Sequence, residues 1–303
     1  MKHLLKLMDL SKKEITDILN LADQLKYEKK NGIEHHILKG KTLGMIFQKS
    51  STRTRVSFEV GMYDLGGSAL FLSSNDLQIG RGEPIEDTAR VLSGYLDAIM
   101  IRTYAQAEVE ALAEYGRIPV INGLTDYCHP CQVLADLMTI REQKGMLEGL
   151  KLVYVGDGNN MANSLIVGGI KMGMKVATAC PDGYTPDPEI MKWAKENGDY
   201  TCTPDVLEAV KDADVVYTDV WASMGQESEA EKRRLVFEGK YQVNADVMSV
   251  AKPNAMVLHC LPAHRGEEIT AEVLEAHASE IFTEAENRLH AQKAVLVKCF
   301  ENK

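Results

Sequence analysis

The sequence holds no apolar run approaching the roughly 20 residues that a helix needs to cross a bilayer. Its start, MKHLLKLMDLSKKEI, does not read as a leader: Asp9 and then SKKE interrupt the few apolar residues. A signal peptide would need more length and a cleavage site, and a transit peptide would be rich in Arg and Ser. Positive charge is also in short supply. Lys and Arg number 34 against 44 Asp and Glu, a net charge of −10, which disfavours general nucleic-acid binding while allowing a local basic pocket. Cysteine is sparse, 6 in 303 residues. The single C-x-x-C, CHPC at 128–131, lacks the second ligand pair or the thioredoxin-like setting that zinc or redox chemistry would use. Low-complexity segments and short-period repeats are absent as well. These absences predict a soluble cytoplasmic protein with no membrane or nucleic-acid partner.

What is present is ordinary globular composition, 45% hydrophobic and 26% charged, in a chain long enough for one large domain or two. Strand-like runs alternate with helical patterns. KTLGMIF (41–47), SALFLS (68–73), DAIMIR (97–102) and IPVIN (118–122) come first. KLVYVGD (151–157), KVATACP (175–181), DVVYTDV (214–220) and AMVLHCLP (255–262) follow. The alternation predicts an α/β fold of two domains, each a mostly parallel sheet flanked by helices. The expected limits are 1–147 and 148–283, with a terminal helix of about 284–303 packing back on the first domain.

The unusual polar clusters come directly after strand candidates. SSTRTR follows 41–47, Arg102 and Thr103 end 97–102, HPCQ follows 118–122, and GDGNN follows 151–155. Asp219 and Cys260 close two later strands. In open α/β sheets ligands bind beyond the carboxyl ends of strands, which predicts an active site in the cleft between the domains.

Each cluster has a plainer reading. KSSTRTR (49–55) opens a helical pattern, where the dipole is positive and acidic residues are favoured, so Arg53 and Arg55 are out of place there. Either the helix is capped and its arginines lie on the surface, or an anion meets the helix N-terminus, the hydroxyls and one guanidinium. Arg53 and Arg55 are two apart and face different ways, so only one is expected at a ligand. GDGNNM keeps Gly156 and Gly158 of a dinucleotide fingerprint but has Met161 where the third glycine belongs. Its asparagines can cap a helix, yet Asn159, Asn160 and Asn163 exceed the need of one cap. His129 reads equally as a turn histidine, Cys260 as a buried core thiol, and ESEAEKRR (227–234) as a solvated face.

Taken together these positions resemble the aspartate/ornithine carbamoyltransferase family, and its ornithine branch in particular. The shared motifs are S-T-R-T-R (51–55), LQIGRGEPIEDTARVLS (77–93), R-T (102–103), H-P-x-Q (129–132) and the G-D-x-N-N turn (156–160). They continue with D-x-x-x-S-M-G (219–225), H-C-L-P-A-x-R-G (259–266) and E-N-R-L-H (286–290).

The resemblance implies transfer of the carbamoyl group of carbamoyl phosphate to the side-chain amine of L-ornithine, giving L-citrulline and phosphate, in arginine biosynthesis or catabolism. It implies no metal or organic cofactor, and a homotrimer or a multiple of trimers. Carbamoyl phosphate would be held by Ser51, Thr52, Arg53, Thr54, Arg102, His129, Gln132, Cys260, Leu261 and Arg288, with Gln78 reaching a neighbouring subunit's ligand. Ornithine would be held by Asn160, Asp219, Ser223 and Met224. Arg53, Arg102, His129 and Cys260 are the implied catalytic groups, and Arg55 is read as a structural ion pair. The rivals are a sister enzyme using putrescine or another amine, a non-catalytic anion-binding relative, and an NAD-binding oxidoreductase, which the broken fingerprint disfavours.

Overall fold

The computed structural model describes residues 1–223 and 225–301. The chain forms two compact units, Met1–Met138 with Asn287–Lys303, and Thr139–Glu286.

The first unit opens with helix α1 (Lys12–Lys30), which a capping box starts: the Ser11 side chain accepts from the Glu14 N–H and Glu14 reaches back to the Ser11 N–H. Its inward stripe is Ile15, Ile18, Leu19, Ala22 and Leu25. There follow β1 (Thr42–Phe47), α2 (Thr52–Asp64), β2 (Ser68–Ser73), α3 (Ile85–Leu92), β3 (Ala98–Arg102), α4 (Gln106–Tyr115), β4 (Val120–Leu124) and α5 (Pro130–Lys144). The four strands pair in parallel in the order β2-β1-β3-β4. β3 and β4 are buried along their whole length, as strands covered on both faces must be. The edge strand β2 leaves Leu70 and Phe71 exposed.

The second unit carries β5 (Lys151–Val155), α6 (Asn160–Lys171), β6 (Lys175–Ala179), α7 (Pro188–Asn197), β7 (Tyr200–Thr203), α8 (Val206–Val210), β8 (Val215–Thr218), α9 (Ala230–Phe237), α10 (Ala245–Ser249), β9 (Met256–His259) and α11 (Ala271–Ala276). Its five strands are again all parallel, in the order β7-β6-β5-β8-β9. Val153, Val155, Val216 and Val257 build its core with Trp221, Phe237 and Tyr241. The last helix, α12 (Ala278–Glu301), begins in this unit and ends in the first.

Because all strands of a sheet run the same way, each unit gathers its strand carboxyl ends along one edge, where the polar loops emerge. Among the described residues, no helix is long and apolar enough to cross a membrane.

Candidate active site

In the first unit the site begins at the turn from β1 to α2. Ser51 is the N-cap, extended at φ −164° and ψ 118°, and its hydroxyl accepts from the Thr54 N–H at 3.2 Å. Thr52, Arg53 and Thr54 are therefore the first three helical residues, where backbone N–H groups lack intrahelical partners. The first turn holds no acidic residue. Arg102, buried, ends β3 beside Phe47 of β1. His129 and Gln132, also buried, flank the start of α5, whose first residue, Pro130, suits the first turn of a helix. Arg288, 2% exposed, comes from α12.

These side chains converge. The Arg288 guanidinium donates to Gln132 Oε1 at 2.6 Å through Nη1, and to Thr54 Oγ1 at 3.0 Å through Nη2. Gln132 in turn donates to Asp136 Oδ1 at 2.8 Å. Burial, followed by the charges of Arg288, Arg102 and Arg53, holds His129 well below the ordinary imidazole pKa. The ring is therefore neutral amid three guanidinium charges. Such a cluster suits a multiply charged anion.

Arg55 is turned to another purpose. Its Nε meets Glu59 Oε1 at 3.1 Å and its guanidinium lies 3.8 Å from the centroid of the Phe71 ring. A cavity of about 580 Å³, lined in part by Ser51, Thr52, Arg55, Glu59, Phe71 and Ser74, opens on that side of α2. Gln78 is exposed on the 3₁₀ turn Gln78–Arg81, and among the described residues no hydrogen bond ties it to the arginine cluster.

In the second unit the site grows from the ends of β5, β8 and β9. Gly158 allows a close chain crossing: a Cβ there would come within 2.2 Å of the backbone at Thr185 and Pro186. Asn159 caps α6, its Oδ1 accepting from the N–H groups of Met161 (2.9 Å) and Ala162 (3.3 Å). Its Nδ2 donates to Asp219 Oδ2 at 2.8 Å, so one residue both starts the helix and aims the carboxylate. Asn163 braces the turn before α7 by accepting from the Asp187 N–H at 3.0 Å. Asn160, at the first helical position, is half-buried.

Asp219 Oδ1 accepts from the Val220 N–H at 2.8 Å and from the Cys260 thiol at 3.0 Å. Next to Cys260, Leu261 adopts a left-handed backbone (φ 56°) and precedes a cis Pro262. The Leu261 N–H donates to His259 Nδ1 at 2.9 Å, which makes that nitrogen an acceptor. His259 Nε2 therefore carries the proton and donates to the buried Glu268 at 3.0 Å. Asp219, His259 and Cys260 bring potential metal ligands within 4.8 Å of one another. With both ring nitrogens of His259 engaged, however, the group reads as a hydrogen-bond network. Ser223 is half-buried, and its N–H donates to Gln226 Oε1 at 3.0 Å. Met224 lies outside the described residues.

The solvated face expected at 227–234 holds for 228–232 and 234, which are exposed, with Arg233 as an exception. Arg233 is buried, ion-paired with Asp157 at 2.7 Å, and donates to the Trp221 carbonyl at 3.1 Å. Burial, opposed by Arg233, pushes the Asp157 carboxyl up to about 6. Density of charge marks the run as solvated, and one buried arginine within it leaves no mark on composition. In CHPC, burial pushes both thiols up to about 12, so neither supplies a thiolate near neutral pH.

Comparison with known proteins finds family models and relatives along nearly the whole chain. Residues 2–142 match the family model described as aspartate/ornithine carbamoyltransferase, carbamoyl-P binding domain. Residues 148–299 match that of the Asp/Orn binding domain of the same family. A protein of Anoxybacillus flavithermus named ornithine carbamoyltransferase is 60% identical over 301 residues, 98% of this chain and 96% of its own. One of Oceanobacillus iheyensis with the same name is 58% identical over 300 residues, 97% of this chain and 93% of its own. The solved ornithine carbamoyltransferase from Pyrococcus furiosus superposes with a TM-score of 0.93 at 57% identity, covering 97% of this chain and 96% of that one. Matched by family models in both its halves and by relatives along nearly its whole length, the chain belongs to the aspartate/ornithine carbamoyltransferase family.

Proposed function

We propose that this protein transfers the carbamoyl group of carbamoyl phosphate to the side-chain amine of L-ornithine, releasing L-citrulline and phosphate. The observation that carries the reading is the convergence of Arg53, Arg102 and Arg288 on a neutral His129 at the N-termini of α2 and α5. Phosphate departs with the negative charge of the broken bond, so its leaving is eased by fixed cations and N–H donors. Ser51, Thr52, Arg53, Thr54 and Arg102 take that role.

As the amine attacks, the carbonyl oxygen gains negative charge. Donors aimed at it lower the barrier by about 2.7–4 kcal/mol for one well-placed group. Thr54, Arg102 and His129 are those donors. A neutral imidazole keeps one N–H to offer without adding a further positive charge. Gln132, the backbone at Cys260–Leu261 and Arg288 orient the carbamoyl NH2. Asp219 pairs with the α-ammonium of ornithine, while Asn160 and Ser223 orient its amino-acid end. In this reading Cys260, which donates to Asp219, lies near the attacking nitrogen. That nitrogen must be neutral to react, although a free amine of this kind has a pKa of about 10. A site poor in water disfavours its charged form. Alignment of the two substrates supplies much of the remaining acceleration.

We propose further that the protein works in the cytoplasm as a homotrimer or a multiple of trimers, with Gln78 serving a neighbouring subunit's ligand. Exposed Val56 and Tyr63 on α2 and Leu70 and Phe71 on the unpaired edge of β2 support a face covered by another copy. A citrulline-formation assay against ornithine, putrescine, lysine and aspartate tests the function. Turnover with ornithine at least about 100-fold above the others is expected. A preference for putrescine, which has no α-ammonium for Asp219, overturns the acceptor assignment.

A further inference from the structure

Behind the three arginines runs a chain of hydrogen bonds, buried at one end and half-buried at the other, through a residue outside the family motifs. Gln292 stands one helical turn after Arg288 on α12, so the two side chains share a face. It is fully buried. A guanidinium has only donors to offer, which turns the amide oxygen of Gln292 toward Arg288. In that orientation Oε1 accepts from Arg288 Nη2 at 2.8 Å and from Nε at 3.1 Å, and Nε2 donates to Ser57 Oγ. The Ser57 hydroxyl donates to the carbonyl of Arg53 at 2.6 Å. One amide thus ties the Arg288 guanidinium to the backbone of Arg53, while Gln132 and Thr54 hold the guanidinium from its other side.

We propose that Gln292 is a positioning residue for anion binding, presetting Arg288 and the first turn of α2 before carbamoyl phosphate arrives. The inference rests on reading the arginine cluster as the carbamoyl-phosphate site. Its physical basis is twofold. Like charges crowded around one pocket repel each other and swing apart when empty unless their side chains are tethered. A long arginine side chain also loses rotamer entropy on ordering, a cost that tethering removes from the binding step. Gln292 suits the task because it is neutral: it satisfies two guanidinium N–H groups without cancelling the charge that the phosphate needs.

The test compares Gln292→Met, which keeps the side chain's length and volume, with Ser57→Ala, which removes one oxygen at the far end of the bridge. Two readouts are taken: the KM for each substrate, and the Kd of inorganic phosphate by calorimetry on the substrate-free protein. For Gln292→Met, the carbamoyl-phosphate KM and the phosphate Kd should each rise about tenfold, with the ornithine KM within about twofold of wild type. Ser57→Ala should move the same two quantities by about threefold, and the double variant should be no weaker than Gln292→Met alone, as for two ends of one bridge. Phosphate affinity within twofold of wild type in both variants overturns the inference, as does a parallel rise in the ornithine KM. Should Gln292→Met fail to fold, Ser57→Ala decides. If the wild type binds phosphate with this dependence yet makes no citrulline, the enzymatic reading falls and the positioning role stands.

Discussion

The two units build their polar edges on opposite electrostatic plans. In the first, three guanidinium groups lie around an uncharged imidazole, and Gln132 of α5 and Thr54 of α2 hold that of Arg288 in place. In the second, one carboxylate is held by neutral donors: the Asn159 amide, the Val220 N–H and the Cys260 thiol. The contrast follows the proposed substrates. A leaving phosphate needs full charges close by, and crowding them calls for a tethering network. An α-ammonium needs one carboxylate, which neutral donors orient without cancelling its charge.

If the plans differ in this way, damage to each should be separable. The largest effect is expected for Arg53→Ala, which should lower turnover about 10³-fold or more while leaving far-UV circular dichroism unchanged. Near-wild-type activity would remove the anion site. Arg233→Met should come next, because it strands the buried Asp157 carboxylate and destabilises the protein by about 3–5 kcal/mol in urea unfolding. Phosphate affinity at the first unit should survive that change under native conditions; its loss would erase the separation. Asp219→Ala should raise the ornithine KM about 10- to 100-fold with little change for carbamoyl phosphate. An unchanged ornithine KM would reassign the carboxylate.

The smallest effect concerns His129. It is neutral when folded, whereas the unfolded chain protonates it below about pH 6.5. The unfolded state therefore binds more protons in that range. Stability is fully present above about pH 6.5 and falls as pH drops toward the depressed folded value, by up to about 1.4 kcal/mol per pH unit. His129→Asn should flatten that slope in urea titrations across the same range. A slope unaltered by the change would mean that His129 is not held neutral by burial and the arginines.

Much of this architecture was legible beforehand. Strand-like runs of five to eight residues marked eight of the strands, because parallel strands buried on both faces, as most of these are apart from the edge strand β2, leave a continuous hydrophobic trace. β7 was not marked: YTCT is short, and three of its four residues are polar or partly exposed at a sheet edge. The S-x-x-E signal at Ser11–Glu14 announced α1 but stood in a segment weighed only as a leader. At the site, position after a strand pointed to Arg53, Arg102, His129, Asp219 and Cys260. Nothing local pointed to Asn159 as the residue aiming Asp219, to Arg233 as a buried partner of Asp157, or to Gln292. Each acts through a partner 60 or more residues away or in another element, and chain order does not report such neighbours.

Local chemistry decided where this chain turns, caps and buries itself. The periodicity of apolar residues, the N-cap hydroxyl of Ser51 and the proline that begins α5 act over a few residues, so their consequences are written where they occur. Which cations meet, which carboxylate is aimed and by whom, and which nitrogen of His259 keeps its proton were left to tertiary structure. Those outcomes depend on charges and donors at distances of 3–4 Å across separate elements, and only packing sets such distances.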